Sequence, residues 1–298
     1  MLASRAMGAG TAVLDLGWGP GPGQAGYYNN RSPGFEEMAA MGPQDFLPLP
    51  DGGVILADTW NDRLLVFDAA AKPVRAVTDS LLKRPWLLGR STAGELFVAL
   101  GRGQHVVRLD ASYRVKSAFG GLGEGPGRFG QLAGLEMDSQ GHLVLCDLGR
   151  NSLELMDAEG RQLARLSWPG TGFALAPGDL FMDLEYEAAK GYTVRLRRAS
   201  GEARYLFAMP GAGLEGGTLL GLDAQQRVYV RFTRASEPGW LFLARLDSTG
   251  RKVEDLGKLR HLPADRQLRV LPDGRLMWLE YDATAAPSGR MRLLSGQP

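Results

Sequence analysis

Hydrophobic positions along this chain come in short runs at a recurring interval. Three adjacent apolar residues follow a turn at six places: Val54-Ile55-Leu56, Leu96-Phe97-Val98, Leu143-Val144-Leu145, Leu180-Phe181-Met182, Val228-Tyr229-Val230 and Leu276-Met277-Trp278. The preceding turns lie at Gly52, Gly94, Gly141, Gly178, Gln226 and Gly274, a spacing of roughly 45 residues. Adjacent apolar residues, rather than alternating ones, predict strands buried on both faces. In the first three units, Asp68, Asp110 and Asp157 follow the turn by 16 residues and end a further strand (Leu64–Phe67, Val106–Leu109, Leu153–Met156). Each Asp opens a small turn in which its carboxylate accepts bonds from the downstream backbone. Arg198 to Gly201 and Asp247 to Gly250 repeat the device later.

This texture predicts an all-β, six-bladed β-propeller with four-stranded antiparallel blades, spread over one domain. The blades are expected near 45–77, 86–119, 133–167, 172–208, 218–256 and 266–294. The last unit has strands at Gln267–Leu271, Leu276–Tyr281 and Arg290–Leu294 and then lacks a fourth. The isolated segment Thr11–Leu16 is the expected outer strand of that blade, closing the ring by joining the two ends of the chain. Residues 24–41 read as an insertion before the first blade, and residues 34–40 as room for one helical turn.

Composition narrows the reading a little. The formal charge of +1 over 298 residues argues against a broad electrostatic footprint for nucleic acid. The single cysteine, Cys146, leaves no internal disulfide and is expected as a small buried hydrophobe. No apolar run approaches membrane-spanning length, and Met1 to Gly10 has no apolar signal core. The expectation is a cytoplasmic protein, or an exported mature form whose leader is not in the sequence.

Two units carry a resemblance. They contain Gly125-Pro126-Gly127-Arg128-Phe129, Leu135 to Asp138, Gly141 to Asp147, Asn151 and Leu155 to Asp157, and earlier Pro50 to Asp58, Asn61-Asp62-Arg63 and Val66 to Asp68. This resembles the NHL repeat, strongly in units one and three, less in unit two, and by register alone thereafter. The resemblance implies a propeller. NHL propellers include protein-binding modules, single-stranded RNA binders, and lyase or lactonase relatives, so it leaves the activity open.

Candidate chemistry is sparse. Asp58, Asn61, Arg63, Asp147, Arg150 and Asn151 are expected to brace the turns between second and third strands. The glycine-rich stretch Gly120 to Gly127 lacks the Lys-Ser/Thr and the following helix of a phosphate cradle, so it reads as an inter-blade connection. Tyr27, Tyr28, Asn29, Asn30 and Phe35 either pack over the channel mouth or touch a ligand. His105, His142 and His261 fall in different units at no metal-ligand spacing. Glu136, Asp183 and Glu185 are the acids weighed for a lactonase-like metal set. No cofactor is predicted, and a divalent ion on the channel axis stays open.

Arg195, Arg197, Arg198 and Arg204 make the fourth unit basic. Arg63, Arg102, Arg150, Arg231 and Arg234 lie near second-to-third turns, beside Trp60, Trp86, Tyr186 and Trp240, a mixture able to stack single-stranded bases. Asp58, Asp62, Asp147, Glu185 and Glu187 share that rim and offset it. The turn-to-strand-end spacing grows from 16 in the first three units to 20 or 21 in the last three. The added residues fall at Glu185–Lys190, Thr233–Pro238 and Asp282–Ser288, which predicts a binding rim over blades four to six together with 24–41. The expectation is a non-catalytic binding module for a protein or peptide, with Trp60, Arg63, Arg150, Tyr186, Arg234 and Trp240 as contacts. The alternatives are a metal-dependent hydrolase or lyase in the central channel and single-stranded RNA binding.

Overall fold

A computed structural model describes every residue except 1–5, 29–39, 102–103, 169–172, 177, 188–190, 198–202, 210–214, 248–251, 261–266 and 283–284. Asn29, Asn30, Phe35, Arg102, Arg198, His261 and residues 34–39 of the helical turn considered at 34–40 therefore lie outside the described residues.

Two strands precede the first blade, β1 (Thr11–Trp18) and β2 (Gln24–Ala25). Blade one holds β3 (Asp45–Pro48), β4 (Val54–Asp58), β5 (Arg63–Phe67) and β6 (Pro73–Val77). Blade two holds β7 (Pro85–Arg90), β8 (Leu96–Leu100), β9 (His105–Leu109) and β10 (Val115–Gly120). Blade three holds β11 (Leu132–Met137), β12 (Leu143–Asp147), β13 (Ser152–Met156) and β14 (Gln162–Ser167). Blade four holds β15 (Ala174–Ala176), β16 (Leu180–Glu187), β17 (Gly191–Arg197) and β18 (Ala203–Met209). Blade five holds β19 (Glu215–Leu222), β20 (Val228–Thr233), β21 (Trp240–Leu246) and β22 (Val253–Arg260). Blade six holds β23 (Leu268–Val270), β24 (Leu276–Tyr281) and β25 (Arg290–Gly296). Each blade is an antiparallel meander, and six of them form a ring.

The ring closes as the sequence predicts. β1 pairs antiparallel with β25, from Thr11↔Ser295 to Gly17↔Arg290, and becomes the outer strand of blade six. Its alternate residues Leu14, Leu16 and Trp18 are 2%, 5% and 4% exposed, while Asp15 between them faces solvent.

Packing explains why the second strands are apolar at every position. Val54 and Leu56 of β4 face the seam with blade six, together with Leu14, Leu279 and Leu293. Ile55 and Ala57 of the same strand face the seam with blade two, beside Leu88, Leu96 and Val98. Each seam around the ring has its own apolar cluster, so a second strand serves two of them at once. Outer strands serve neither fully, and β6 and β14 are largely exposed or alternating.

Turn chemistry supports the register. Gly52, Gly94, Gly141, Gly178 and Gly274 all take left-handed φ between 77° and 87°, which disfavours any residue with a Cβ. Asp68 accepts bonds from the N–H groups of Ala70 and Lys72, Asp110 from Ser112 and Arg114, and Asp157 from Glu159 and Arg161. Because strands alternate direction, these turns gather on one rim, the lower. Second-to-third turns and inter-blade connections form the upper rim.

Candidate functional site: the upper rim

Two of the residues expected to touch a partner are committed to holding the ring together. Arg63 is 8% exposed. Its Nε donates to Asp58 at 2.7 Å, and its terminal nitrogens donate to the carbonyls of Pro20, Gly21 and Gln24. Asp58 in turn accepts from Gly26 N at 2.6 Å, and Asn61 donates to Gly19 O and to Asp58. Burial pushes the Asp58 carboxyl above its ordinary range, against the pull of Asn61, Arg63 and the Gly26 amide. The whole set fastens the segment 19–26 across the junction of blades six and one. Arg63 is thus a clamp rather than an exposed contact.

Arg150 plays a related part between blades two and three. It donates to the Gly123 carbonyl and lies 3.7 Å from Asp147, and its buried Nη1 has no hydrogen-bond partner among the described residues. Asp147 accepts the amides of Gly130 and Gln131. Asp58 and Asp147 therefore secure the inter-blade connections, beyond the bracing of their own turns that their spacing suggests. The sign of this was in the sequence: both follow buried second strands and each has a glycine-rich connection to hold.

Of the remaining four candidates Tyr186 is exposed and Trp60, Arg234 and Trp240 are half-buried, and they fall into two groups. Half-buried Trp60 donates its indole N–H to Gly42 O at 3.0 Å and sits between Tyr28, at 4.8 Å, and the Arg84 guanidinium, at 4.1 Å. Tyr27 packs edge-on against Trp18, which also meets Tyr281 at 5.7 Å. These aromatics cover the junction between the ends of the ring, around blade one.

Across the ring, Tyr186, Arg234 and Trp240 share the seam between blades four and five. Tyr186 is 56% exposed, and its ring lies 5.1 Å from Tyr192, which lies 4.8 Å from Phe232. Phe232 pairs across the sheet with Phe242, and Arg234 lies 4.1 Å over the Phe242 ring. Trp240 has the Lys258 ammonium at 4.8 Å and the Arg260 guanidinium at 4.6 Å from its ring. Lys258 and Arg260 were missed in the sequence. Their signal was the period of two on β22, which places them opposite Phe242 and Trp240.

The longer second-to-third connections of blades four to six enter the structure partly as longer strands. β16 has 8 residues where β4 has 5, and β17 starts at Gly191. In blade five the connection carries Arg234 and Glu237, which approach each other at 3.7 Å. Glu237 also pairs with Lys258.

The channel holds a cavity of about 280 Å³ bounded by the inner strands of blades three to six, with Glu136, Cys146, Phe173, Thr218 and Arg269 in its lining. Arg269 is bound to Asp45 at 2.8 Å, and Asp45 also accepts Leu88 N, so this pair ties together blades six, one and two. Cys146 is 3% exposed, and burial with the neighbouring Asp147 charge pushes its thiol up to about 12. Asp183 is buried and held by Arg195 at 2.7 Å, and Arg195 also pairs with Glu185. Among the described residues, no group of three or more His, Cys, Asp or Glu side chains is placed to hold a metal ion. No helix among them is long and apolar enough to cross a membrane.

No family model and no curated protein matches this chain. Solved structures do. The chain is similar to the virginiamycin B lyase of Staphylococcus aureus at 11% identity and a TM-score of 0.55, covering 85% of this chain and 94% of that one. A putative gluconolactonase aligns at 12% identity and 0.53, covering 85% and 88%. The WD40 repeats of RRP9 align at 12% and 0.56, covering 91% and 97%. At such identities the likeness establishes a propeller fold, shared by enzymes and by WD40 domains alike.

Proposed function

We propose that this chain is an NHL-type propeller that works as a non-catalytic binding module, holding a protein or peptide on its upper rim. One observation carries the reading: exposed or half-buried aromatic rings with adjacent cations collect on that rim. Tyr28, Trp60 and Arg84 form one group; Tyr186, Arg234 and Trp240 mark the other. The lower rim is instead made of Asp-bonded turns whose carboxylates are spent on their own backbone. Trp, Tyr and Arg supply most of the energy in protein interfaces, since each combines a large apolar area with a polar or charged end.

The test compares proteins retained by the full chain with those retained by a Trp60→Ala/Tyr186→Ala/Trp240→Ala variant of matched thermal stability. A partner held by the first and lost by the second supports the reading. Partners held equally by both would reject the upper rim. The 280 Å³ channel cavity, in which Glu136 is the one acidic side chain among the described residues, is where the alternative of a metal-dependent hydrolase or lyase would act. A rise in melting temperature on adding calcium or zinc, abolished by Glu136→Gln, would move the assignment there.

A further inference from the structure

The inner strands β11, β15, β19 and β23 each stand last in their sheets, so the edge that would take another strand faces the channel instead. Between them lies the cavity of about 280 Å³, close to the lower end of the volumes that hold small ligands, about 300–1,000 Å³. Its lining is chiefly apolar, with Met137, Phe173, Leu175, Leu220, Leu222 and Val270 drawn from all four blades. Two charged side chains interrupt it, Glu136 on β11 and Arg269 on β23. Arg269 is matched within the fold: its Nε and one terminal nitrogen donate to the buried Asp45 carboxylate at 3.2 and 2.8 Å. Asp138, two residues beyond Glu136, is committed to the amides of its own turn and to the His142 ring. Half-buried Glu136 is thus the acid that the lining offers to an occupant.

We propose that the channel binds a small organic amine, its apolar body against Phe173, Leu175, Leu220 and Leu222 and its ammonium against Glu136. This is a second binding site, separate from the upper rim and independent of the binding-module reading. Charge selects the class. A carboxylate at the side of an apolar cavity is complemented by a cation that carries its own apolar group, and the charge-assisted hydrogen bond between them is stronger there than in water. An ammonium has more N–H donors than one carboxylate oxygen accepts, and the open strand edges supply carbonyls for the rest. A divalent ion suits the lining less well, because such ions take several oxygen, nitrogen or thiolate ligands. Among the described residues the side chains here offer one carboxylate, the Thr218 hydroxyl and the Cys146 thiol, which burial keeps protonated. An anion would have to compete with Asp45 for Arg269 and would share the cavity with the Glu136 charge.

The test titrates three probes of one shape, cyclohexylmethylamine, cyclohexylmethanol and cyclohexanecarboxylate, into the full chain and into Glu136→Gln and Glu136→Asp, with binding read by ligand-observed NMR. The amine is expected to bind about tenfold or more tightly than the alcohol, and the carboxylate least. Glu136→Gln keeps the shape of the side chain and removes its charge. It should bring the amine down to the level of the alcohol while the alcohol keeps its affinity, which shows that the cavity still stands. If the alcohol is lost as well, Glu136→Asp decides: a retained preference for the amine supports the site, and a lost one overturns it. Equal binding of amine and alcohol in the parent, an amine affinity unchanged by Glu136→Gln, or no binding of any probe at millimolar concentration would each overturn the proposal. A preference for the carboxylate would reverse the sign of the ligand. Displacement of the amine by equimolar calcium or zinc would give Glu136 to a metal ion instead. None of these outcomes bears on the upper rim, whose triple variant leaves the channel residues in place.

Discussion

Ring closure by β1 makes a quantitative claim on single residues. Leu14 is 2% exposed, packed with Leu56, Leu279 and Leu293 where the two ends of the chain meet. Asp15, next along the strand, faces outward and bonds Arg290 at 2.5 Å, with 44% of its side chain exposed. Replacing a buried Leu by Ala removes its transfer energy and leaves a cavity, a loss of about 2–5 kcal/mol. An exposed ion pair contributes about 0–1 kcal/mol, because solvent screens it and both side chains must be ordered to make it. A chain of this size shifts its melting temperature by about 2–3 °C per kcal/mol. Leu14→Ala should therefore melt roughly 5–15 °C lower, and Asp15→Ala within a few degrees of the parent. Removing residues 1–18 deletes Leu14, Leu16 and Trp18 together and exposes the edge of β25. At about 1.5–3 kcal/mol for each buried side chain, that loss is comparable with the whole stability of an ordinary domain. Thermal and urea unfolding measure all three. Equal melting temperatures for Leu14→Ala and Asp15→Ala, or a cooperative, unshifted transition in the truncated chain, would refute closure by this strand.

Two further outcomes follow from the buried polar groups. Cys146 should resist a thiol reagent at mild alkaline pH in the folded protein and react at once in denaturant. Its thiol, raised from 9.0 to about 12, stays neutral while the unfolded chain ionises. The sign for stability follows: the contribution is full below pH 9 and is lost as pH rises towards 12, so Cys146→Val should flatten that part of the pH–stability curve. Arg63→Ala should cost about 3–5 kcal/mol, since it leaves the Asp58 carboxylate buried without its cation, whereas Arg260→Ala should change stability by less than about 0.5 kcal/mol. Similar melting temperatures for the two variants would remove the distinction between clamp and contact.

How much was legible in the residues differs between fold and site. Three apolar residues in a row after each turn announced strands wanted on both faces, and the seams supply the reason, as Val54 and Ile55 point into different clusters. The Asp-bonded turns and left-handed glycines were equally readable, because a carboxylate reaching its own backbone two to four residues on is a local event. Even the closing strand followed from local evidence, an unpaired strand at one end and an incomplete blade at the other.

The standing of the arginines was different. Arg63 and Arg260 are alike in sequence terms, each at one end of a strand. One is enclosed because the segment 19–26, some forty residues away, brings three carbonyls to it; the other meets the ring of Trp240 and open solvent. Sequence by itself determined the repeat, its turns and its closure, since backbone bonding and side-chain period act over a few residues. The tertiary structure alone decided which charges are buried and which rings share a surface. Those depend on what a neighbouring blade brings to the seam, and no local pattern records it.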